Sequence, residues 1–349
     1  MAANPRPRIL VTGGAGFIGS HTCVELLKGG EAVVVADNLD NSSQESLVRV
    51  REITGCTEDD MIFVKMDLCD EAAVEALFTG YKFTSVIHFA GKKAVGESVK
   101  LPLLYYQNNI AGSLKLFDAM ARHEVKNLVF SSSATVYGDP EELPLKETSR
   151  VGVGVTNPYG RTKIFLEDIL RDVHVSDPSW NIMLLRYFNP VGAHESGRIG
   201  ENPNGIPNNL LPYIAQVAAG KREFLSVFGN DYDTKDGTGV RDYIHVVDLA
   251  MGHLAALKKL EDGPGCVAVN LGTGVGYSVL EMLDGVGKAA GTTLAHKMCP
   301  RRSGDVAACY CDPSFAKAFL GWEATRGYEE MCADLWRWQS MNPDGFSGS

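Results

Sequence analysis

Tyr159 and Lys163 are the residues whose types and spacing most clearly suggest chemistry. They are four positions apart in a stretch with helical apolar spacing, so a phenol and an ammonium group fall on one face of a helix. A nearby cation favours the phenolate, so we expect Lys163 to lower the pKa of Tyr159 from about 10 toward neutrality. Such a phenol could accept a proton from a sugar hydroxyl. Ser133, at the tip of a serine-rich strand end, could hold that hydroxyl and bridge it to Tyr159.

A glycine turn near the N-terminus predicts a dinucleotide site. Gly13, Gly16 and Gly19 are three residues apart, between a short apolar strand and a helix. Glycines at this spacing allow a tight turn, close approach of a pyrophosphate and close packing of helix on strand, and the helix N-terminus favours phosphate. A second apolar strand ends at Asp37, where a carboxylate would bind the adenosine ribose of NAD and repel the extra phosphate of NADP.

The elements that must position these residues alternate between strand and helix, which is typical of a parallel sheet covered on both faces. The predicted strands are Ile9–Val11, Ala32–Ala36, Ile62–Val64, Ser85–Phe89, Leu128–Ser131 and Asn181–Leu185. The predicted helices are Ser20–Lys28, Ala72–Phe78, Leu104–Arg122 and Pro158–Val173. The fold class is therefore α/β, a Rossmann-type doubly wound parallel sheet with a smaller C-terminal α/β domain for the substrate.

The domain boundary is expected where the sequence becomes rich in Gly, Pro and Asn. We predict a Rossmann domain that binds NAD at residues 1–186 and a substrate domain at 187–349. Val246–Lys259 and Val267–Leu271 are a helix and a strand that could return to the first domain. Long loops in the second domain would form a lid over the cofactor.

Composition limits the classes of partner. The chain has 349 residues and a formal net charge of -10, which argues against nucleic acid or an anionic membrane as the main partner. We see neither a signal peptide nor an apolar run long enough to cross a bilayer. The eight cysteines are scattered and are expected to be reduced in a cytoplasmic compartment. Cys309 and Cys311 lack companion ligands, so no metal site is expected.

Several motifs carry a resemblance to the extended short-chain dehydrogenase/reductase family, and more closely to its branch that epimerises UDP-hexoses at C4. They are the glycine turn, the Tyr159/Lys163 pair and the stretches at 88–98, 131–138, 157–160, 185–190 and 239–246. The similarity runs from about Arg8 to about Gln339.

The resemblance implies reversible interconversion of UDP-glucose and UDP-galactose, as part of galactose metabolism. Tyr159 would take the proton of the sugar C4 hydroxyl while hydride passes from C4 to tightly held NAD. The transient 4-keto sugar would turn over within the site and receive the hydride on its other face. The resemblance also implies a homodimer built on the helices at 104–122 and 158–173, although core packing against the sheet could use much of the same surface.

The resemblance also assigns the site residue by residue. Tyr159, Lys163 and Ser133 would be catalytic. The cofactor residues would be Gly13, Gly16, Phe17, Ile18, Gly19, Asp37, Asn38, Asp67, Leu68, Phe89, Ala90, Gly91, Lys93, Asn109, Tyr159, Lys163 and Tyr187. The residues for the UDP-sugar would be Ser133, Tyr159, Phe188, Asn189, Asn209, Leu210, Val227, Phe228, Arg241, Arg302, Asp305 and Cys309.

One of these positions bears on the choice of sugar. The related enzymes have either a tyrosine or a small residue where Cys309 stands, and the small form goes with room for a 2-acetamido group. UDP-N-acetylglucosamine and UDP-N-acetylgalactosamine are therefore expected as further substrates.

Two other functions compete with this interpretation. A nucleotide-sugar 4,6-dehydratase of the same fold would need an acid/base pair beside Ser133, where this chain has Ala134 and Thr135. A non-catalytic NAD-binding regulator would keep the glycine turn and lose Ser133, Tyr159 and Lys163, all of which are present.

Overall fold

A seven-stranded parallel sheet forms the larger part of the chain. The structure is a computed structural model that describes residues 6–302 and 304–348. The strands of this sheet are β1 (Arg8–Thr12), β2 (Val33–Asp37), β3 (Met61–Lys65), β4 (Phe83–His88), β5 (Asn127–Ser133), β6 (Asn181–Tyr187) and β10 (Cys266–Leu271). Their order across the sheet is β10-β6-β5-β4-β1-β2-β3. The strand order therefore reverses between β1 and β4, which are themselves parallel.

Helices cover both faces of this sheet, which confirms the predicted fold class. They are α1 (Phe17–Lys28), α2 (Glu45–Thr54), α3 (Glu71–Gly80), α4 (Val95–Lys100), α5 (Pro102–Tyr105), α6 (Gly112–Arg122), α7 (Pro158–Ser176) and α9 (Val246–Leu260). Successive residues of β1 point to opposite faces: Ile9 and Val11 belong to one hydrophobic cluster and Leu10 to the other. A strand with two buried faces explains why β1 and β2 are continuous apolar runs.

A second cluster of elements follows β6. Its strands are β7 (Asn189–Val191), β8 (Leu225–Phe228), β9 (Val240–His245), β11 (Gly276–Ser278), β12 (His296–Cys299) and β13 (Ala308–Cys309). Its helices are α8 (Leu210–Ala218), α10 (Val279–Ala290) and α12 (Tyr328–Met341). The helix α11 (Ser314–Leu320) instead contributes Ala316 to the core that contains Ile9 and Val11. Side chains of α8, α10 and α12 share one core with β8, including Ile214, Met282 and Leu335.

Two later segments pack with the first part of the chain. The strand β10 pairs in parallel with β6, and the helix α9 contributes Leu249 and Ala256 to the same core as α1.

The prediction of one regular α-helix over Leu104–Arg122 is wrong, because part of this segment is π-helical. The chain is helical from Pro102 to Arg122, but Tyr106–Ala111 forms a π-helical turn between α5 and α6. The wider turn carries Asn109, which is 3% exposed and makes its hydrogen bonds inside the protein. Inward placement of one polar side chain is a common reason for such a turn.

Candidate active site

The glycine turn lies at the point where the strand order reverses, beside the carboxyl ends of β1 and β4. Gly13 has a φ of 71°, and a Cβ there would lie 2.6 Å from the Ala90 nitrogen. A Cβ on Gly19 would lie 2.5 Å from the Gly13 carbonyl oxygen. The helix α1 then begins at Phe17 with no side chain capping its N-terminus. This cradle of bare backbone and free N–H groups fits a dinucleotide pyrophosphate.

Asp37 ends β2 beside this turn and is 8% exposed. Its carboxylate accepts hydrogen bonds from the Ala15 nitrogen (3.0 Å), the Leu39 nitrogen (2.9 Å) and the Ser42 hydroxyl (2.8 Å). A carboxylate accepts about four hydrogen bonds, so capacity remains for a ribose hydroxyl. The residues present therefore fit the adenosine half of NAD.

The adenine end of the predicted site is formed by the loops after β2 and β3. The amide of Asn38 donates to the Asp67 carboxylate at 3.0 Å, and the Cys69 nitrogen donates to the same carboxylate at 2.8 Å. The hydrogen bond from Cys69 is the main reason why the pKa of Asp67 is lowered. Asp67 is thus a carboxylate acceptor on the surface, with Leu68 half-buried beside it.

The candidate catalytic residues come together between β5 and α7. Ser133 is the last residue of β5, and the interaction of its side chain with Tyr159 lowers the pKa of that phenol. The Lys163 ammonium donates to the Ser131 carbonyl oxygen at 2.6 Å and lies 5.8 Å from the centre of the Tyr159 ring. Asn157 caps α7 by accepting from the Gly160 nitrogen at 2.8 Å, which fixes the helix start next to Tyr159.

Burial raises the pKa of Tyr159, against the expectation that it falls toward neutrality. The interaction with the Ser133 side chain and the charge of Lys93 lower this pKa only in part. The prediction was wrong about the cation because the Lys163 ammonium is directed at the Ser131 carbonyl rather than at the phenol. A positively charged nicotinamide ring would add a further charge that favours the phenolate.

Lys163 is itself a perturbed group. Burial lowers its pKa to about 8, while the negative charge of Glu167 raises it. The ammonium form therefore persists at neutral pH and is lost as the pH rises through about 8.

The loop after β4 carries the next set of predicted cofactor residues. Phe89, Ala90 and Gly91 line the sheet edge next to Gly13. Asn109 bonds the backbone of Lys92 in both directions, and its amide reaches the Thr162 hydroxyl at 3.2 Å. Asn109 therefore links the loop after β4 to α7 through hydrogen bonds.

Tyr187 and Phe89 face each other across a buried histidine. The Tyr187 hydroxyl is hydrogen-bonded to His253 Nε2, while His253 Nδ1 donates to the Leu249 carbonyl at 2.8 Å. The ring of His253 lies 4.8 Å from Phe89 and 5.3 Å from Tyr187. This packing holds both aromatic rings in place at the edge of the sheet.

The predicted nucleotide-sugar residues on the second part of the chain make two groups of contacts. Arg302 pairs with Asp305 at 2.9 Å, and its guanidinium carbon lies 4.9 Å from the centre of the Phe228 ring. Arg241 on β9 is paired in register with Cys309 on β13. Cys309 packs against the cluster that contains Phe188.

The remaining predicted substrate residues differ in exposure. Asn189 and Asn209 are exposed, and Leu210 is half-buried at the start of α8. Val227 on β8 is fully buried.

A single carboxylate joins the two sets of predicted residues. Glu201 accepts from the Lys93 ammonium at 2.9 Å and from the Asn209 amide at 2.8 Å. Lys93, expected at a pyrophosphate, is thus paired with an acid.

Sequence reasoning missed Glu201, His253, Glu167 and Arg186. Glu167 alone had a signal, since it lies four residues after Lys163 on the same helix face. The other residues approach the site only through tertiary contacts.

The comparisons with known proteins decide the family. The GDP-mannose 4,6 dehydratase family matches residues 10–335 of this chain. UDP-glucose 4-epimerase of Bacillus subtilis is 61% identical over 341 residues, which cover 98% of this chain and 99% of that protein. This chain belongs to the UDP-glucose 4-epimerase family. The human UDP-glucose 4-epimerase is 59% identical, over 97% of this chain and 98% of its own.

A solved member of the UDP-glucose 4-epimerase family supports the same assignment. The enzyme from Bifidobacterium longum, in complex with NAD+ and UDP, superimposes with a TM-score of 0.93 at 54% identity, over 97% of this chain and 100% of that chain. The predicted family, Rossmann fold, epimerase activity and NAD cofactor are confirmed. The match to a dehydratase family reflects the shared fold, since Ala134 and Thr135 stand where a dehydratase needs its acid/base pair.

The described helices were also compared with the requirements of a membrane span. None of those in residues 6–302 and 304–348 has both the length and the apolar character needed to cross a bilayer.

Proposed function

We propose that this chain interconverts UDP-glucose and UDP-galactose at C4, with NAD held through the cycle, as a step of galactose metabolism. The observation that carries the proposal is the group of Ser133, Tyr159 and Lys163 at the sheet edge that also holds the glycine turn. An alcohol and its proton acceptor beside a dinucleotide cradle suit a reversible alcohol–ketone interconversion.

The residues of this chain divide the work of the reaction. Ser133 holds the C4 hydroxyl, and Tyr159 removes its proton and later returns it. The ammonium of Lys163 donates to the Ser131 carbonyl and so fixes α7 against β5 beside Tyr159. NAD, when bound, supplies a reversible acceptor for the C4 hydride. The predicted cofactor residues at the carboxyl ends of β1 to β6 hold it, with Asp37 at the adenosine ribose.

The UDP moiety is assigned to the patch around Arg241, Arg302 and Asp305. Planar guanidinium groups suit a pyrophosphate, and they give local positive charge in a chain with a net charge of -10. Asp305 accepts from the uridine ribose, and Asn189 and Asn209 bind sugar or phosphate oxygens.

A 2-acetamido sugar is accommodated because Cys309 is small. It lies half-buried on β13 beside Arg241 and packs against the cluster of Phe188. We expect Cys309→Tyr to abolish turnover of UDP-N-acetylgalactosamine and to preserve turnover of UDP-galactose. The measurement compares both substrates on the native chain and on the variant. Unchanged rates for both substrates in Cys309→Tyr would refute this assignment.

A homodimer is assigned to the face formed by α5, the π-helical turn, α6 and α7. Leu103, Leu114 and Phe165 are 72%, 43% and 45% exposed there. Apolar side chains on neighbouring helices favour burial against a second copy as a helix bundle. Free cysteines throughout the chain agree with a cytoplasmic location.

The identity of the product distinguishes epimerisation from dehydration. Purified protein is incubated with UDP-galactose, and the products are separated. Epimerisation yields UDP-glucose alone, whereas a persistent 4-keto-6-deoxy sugar would establish the dehydratase instead.

A further inference from the structure

Three successive serines of β5 contact three residues of α7 that lie one turn apart. The Ser133 side chain interacts with Tyr159, the Ser131 carbonyl accepts a hydrogen bond from Lys163, and the Ser132 hydroxyl donates to Glu167 at 2.6 Å. Because Tyr159, Lys163 and Glu167 occupy positions i, i+4 and i+8, they share one face of the helix. The strand end therefore holds the helix at three successive turns.

Of these three residues of α7, Glu167 makes the most hydrogen bonds. Its side chain is completely buried, and one oxygen accepts from Ser132 and from Arg186 Nε at 2.9 Å. The other oxygen accepts from Arg186 Nη2 at 2.7 Å and from Arg171 Nη2 at 2.8 Å. The bond to Arg186 is a two-pronged guanidinium–carboxylate pair, the geometry with the strongest directional preference.

Arg186 is in turn fixed by its own contacts. It is 2% exposed and is the second-last residue of β6. Its Nη1 donates to the Tyr137 hydroxyl at 2.9 Å and to the Glu147 carbonyl at 3.1 Å. Its guanidinium carbon also lies 4.9 Å from the centre of the Tyr137 ring. A buried carboxylate on α7 is thus anchored to both β5 and β6.

The other charged groups near Lys163 leave Glu167 as its balancing anion. His88 on β4 is neutral, since burial and the charge of Lys163 lower its pKa to about 3. On the Phe130 side of β5 the ammonium meets a ring at 5.0 Å rather than an acid. Tyr159 is protonated until it acts. Arg186 and Arg171 carry positive charge, and both are bound to Glu167.

We propose that Glu167, anchored by Arg186 and Ser132, is a positioning residue that sets the register of α7 on β5 and holds a negative charge one helical turn from Lys163. This role rests on the proposed epimerase function. A buried ion pair adds little net stability compared with apolar packing, so a role in holding charge and geometry accounts better for its placement.

The test is Glu167→Gln, which preserves size and removes the charge. Asp168→Asn is the matched control, because it removes the same charge from the next position of α7, where the side chain is 66% exposed. The rate of epimerisation is measured against pH. We expect the alkaline limb of kcat in Glu167→Gln to move down by about one pH unit. The control should keep the profile of the native chain.

A second readout requires no turnover. The ultraviolet absorbance of phenolate is titrated in NAD-loaded protein, with Tyr159→Phe as the reference that identifies the signal of Tyr159. Loss of charge on Lys163 should move the ionisation of Tyr159 to higher pH in Glu167→Gln. The proposal would be overturned if Glu167→Gln folds and if both its pH profile of kcat and its titration of Tyr159 equal those of the control. Absence of epimerisation in the native chain would instead contradict the proposed function.

A milder variant covers the case in which Glu167→Gln fails to fold. Ser132→Ala removes one donor to Glu167 and leaves the pair with Arg186. We expect kcat to fall several-fold with KM unchanged, because the helix loses one of its contacts to β5. A kcat equal to that of the native chain would overturn the proposed positioning role.

Discussion

At the scale of single residues, the proton acceptor is the decisive group. We expect Tyr159→Phe to reduce turnover by about 10²- to 10⁴-fold, because a general base of this kind contributes that much to rate. NAD binding should persist, since the glycine turn and Asp37 are unchanged. The measurement combines initial rates with the NAD content of the purified variant. Tyr106→Phe is the control, as it alters a tyrosine on the π-helical turn. Full turnover in Tyr159→Phe would refute the mechanism.

The sequence predicted which residues share a helix face, but it did not predict the pKa of Tyr159 or the hydrogen-bond partner of Lys163. Spacing alone put Tyr159 and Lys163 on one helix face, because a helical period is a local property. The direction of the Lys163 ammonium depends on the Ser131 carbonyl, and the pKa of Tyr159 depends on burial. Neither feature follows from spacing, since both arise when β5 and α7 pack together.

At the scale of elements, Gly19 in the first turn of α1 has no room for a side chain. A Cβ on Gly19 would lie 2.5 Å and 2.6 Å from backbone atoms of Gly13 and Gly14, which cannot move aside as a side chain would. We expect Gly19→Ala to lose bound NAD and to lower the free energy of unfolding by about 1–3 kcal/mol. Urea unfolding and NAD content measure both effects.

Gly80→Ala is the matched control for that substitution. Gly80 ends α3, and no atom lies within 4 Å of a Cβ placed there. Removing a helical glycine is neutral or slightly stabilising, so this variant should retain NAD and stability. Equal NAD content in Gly19→Ala and Gly80→Ala would show that the turn does not hold the cofactor.

The elements themselves were largely predictable from apolar runs. β1, β2 and β6 were placed within about two residues, because strands buried on both faces have continuous apolar sequences. The π-helical turn at 106–111 escaped prediction, since helical spacing does not distinguish its winding from that of an α-helix.

At the scale of the whole molecule, buried histidines make stability depend on pH. Burial lowers the pKa of His21 and His88 to about 3, and that of His253 to about 4. These groups stay neutral in the folded chain, while the unfolded chain binds protons below about pH 6.5. Stability is therefore complete above that value and is lost as the pH falls.

The loss should be steep. Each of these histidines lowers the free energy of unfolding by about 1 kcal/mol per pH unit between about pH 6 and pH 4.5. Urea unfolding at a series of pH values measures the slope. Burial also lowers the pKa of His194 to about 4, so four histidines contribute. His253→Gln should therefore reduce the slope by about a quarter, and an unchanged slope in that variant would exclude His253 as a contributor.

The whole fold also connects the residues predicted for the cofactor with those predicted for the substrate. The glycine turn, the loop after β4 and the nucleotide-sugar patch are contributed by different parts of the chain, yet Glu201 bridges Lys93 and Asn209 between them. A site built from both parts suits a cofactor that is retained through the cycle.

The central claim is that NAD stays bound and returns the same hydride to C4. UDP-galactose that carries deuterium at C4 is incubated with purified protein in ordinary water, without added NAD, and the product is analysed by mass spectrometry. The account predicts UDP-glucose that retains deuterium at C4. Loss of the label to solvent, or a requirement for added NAD in each cycle, would contradict it.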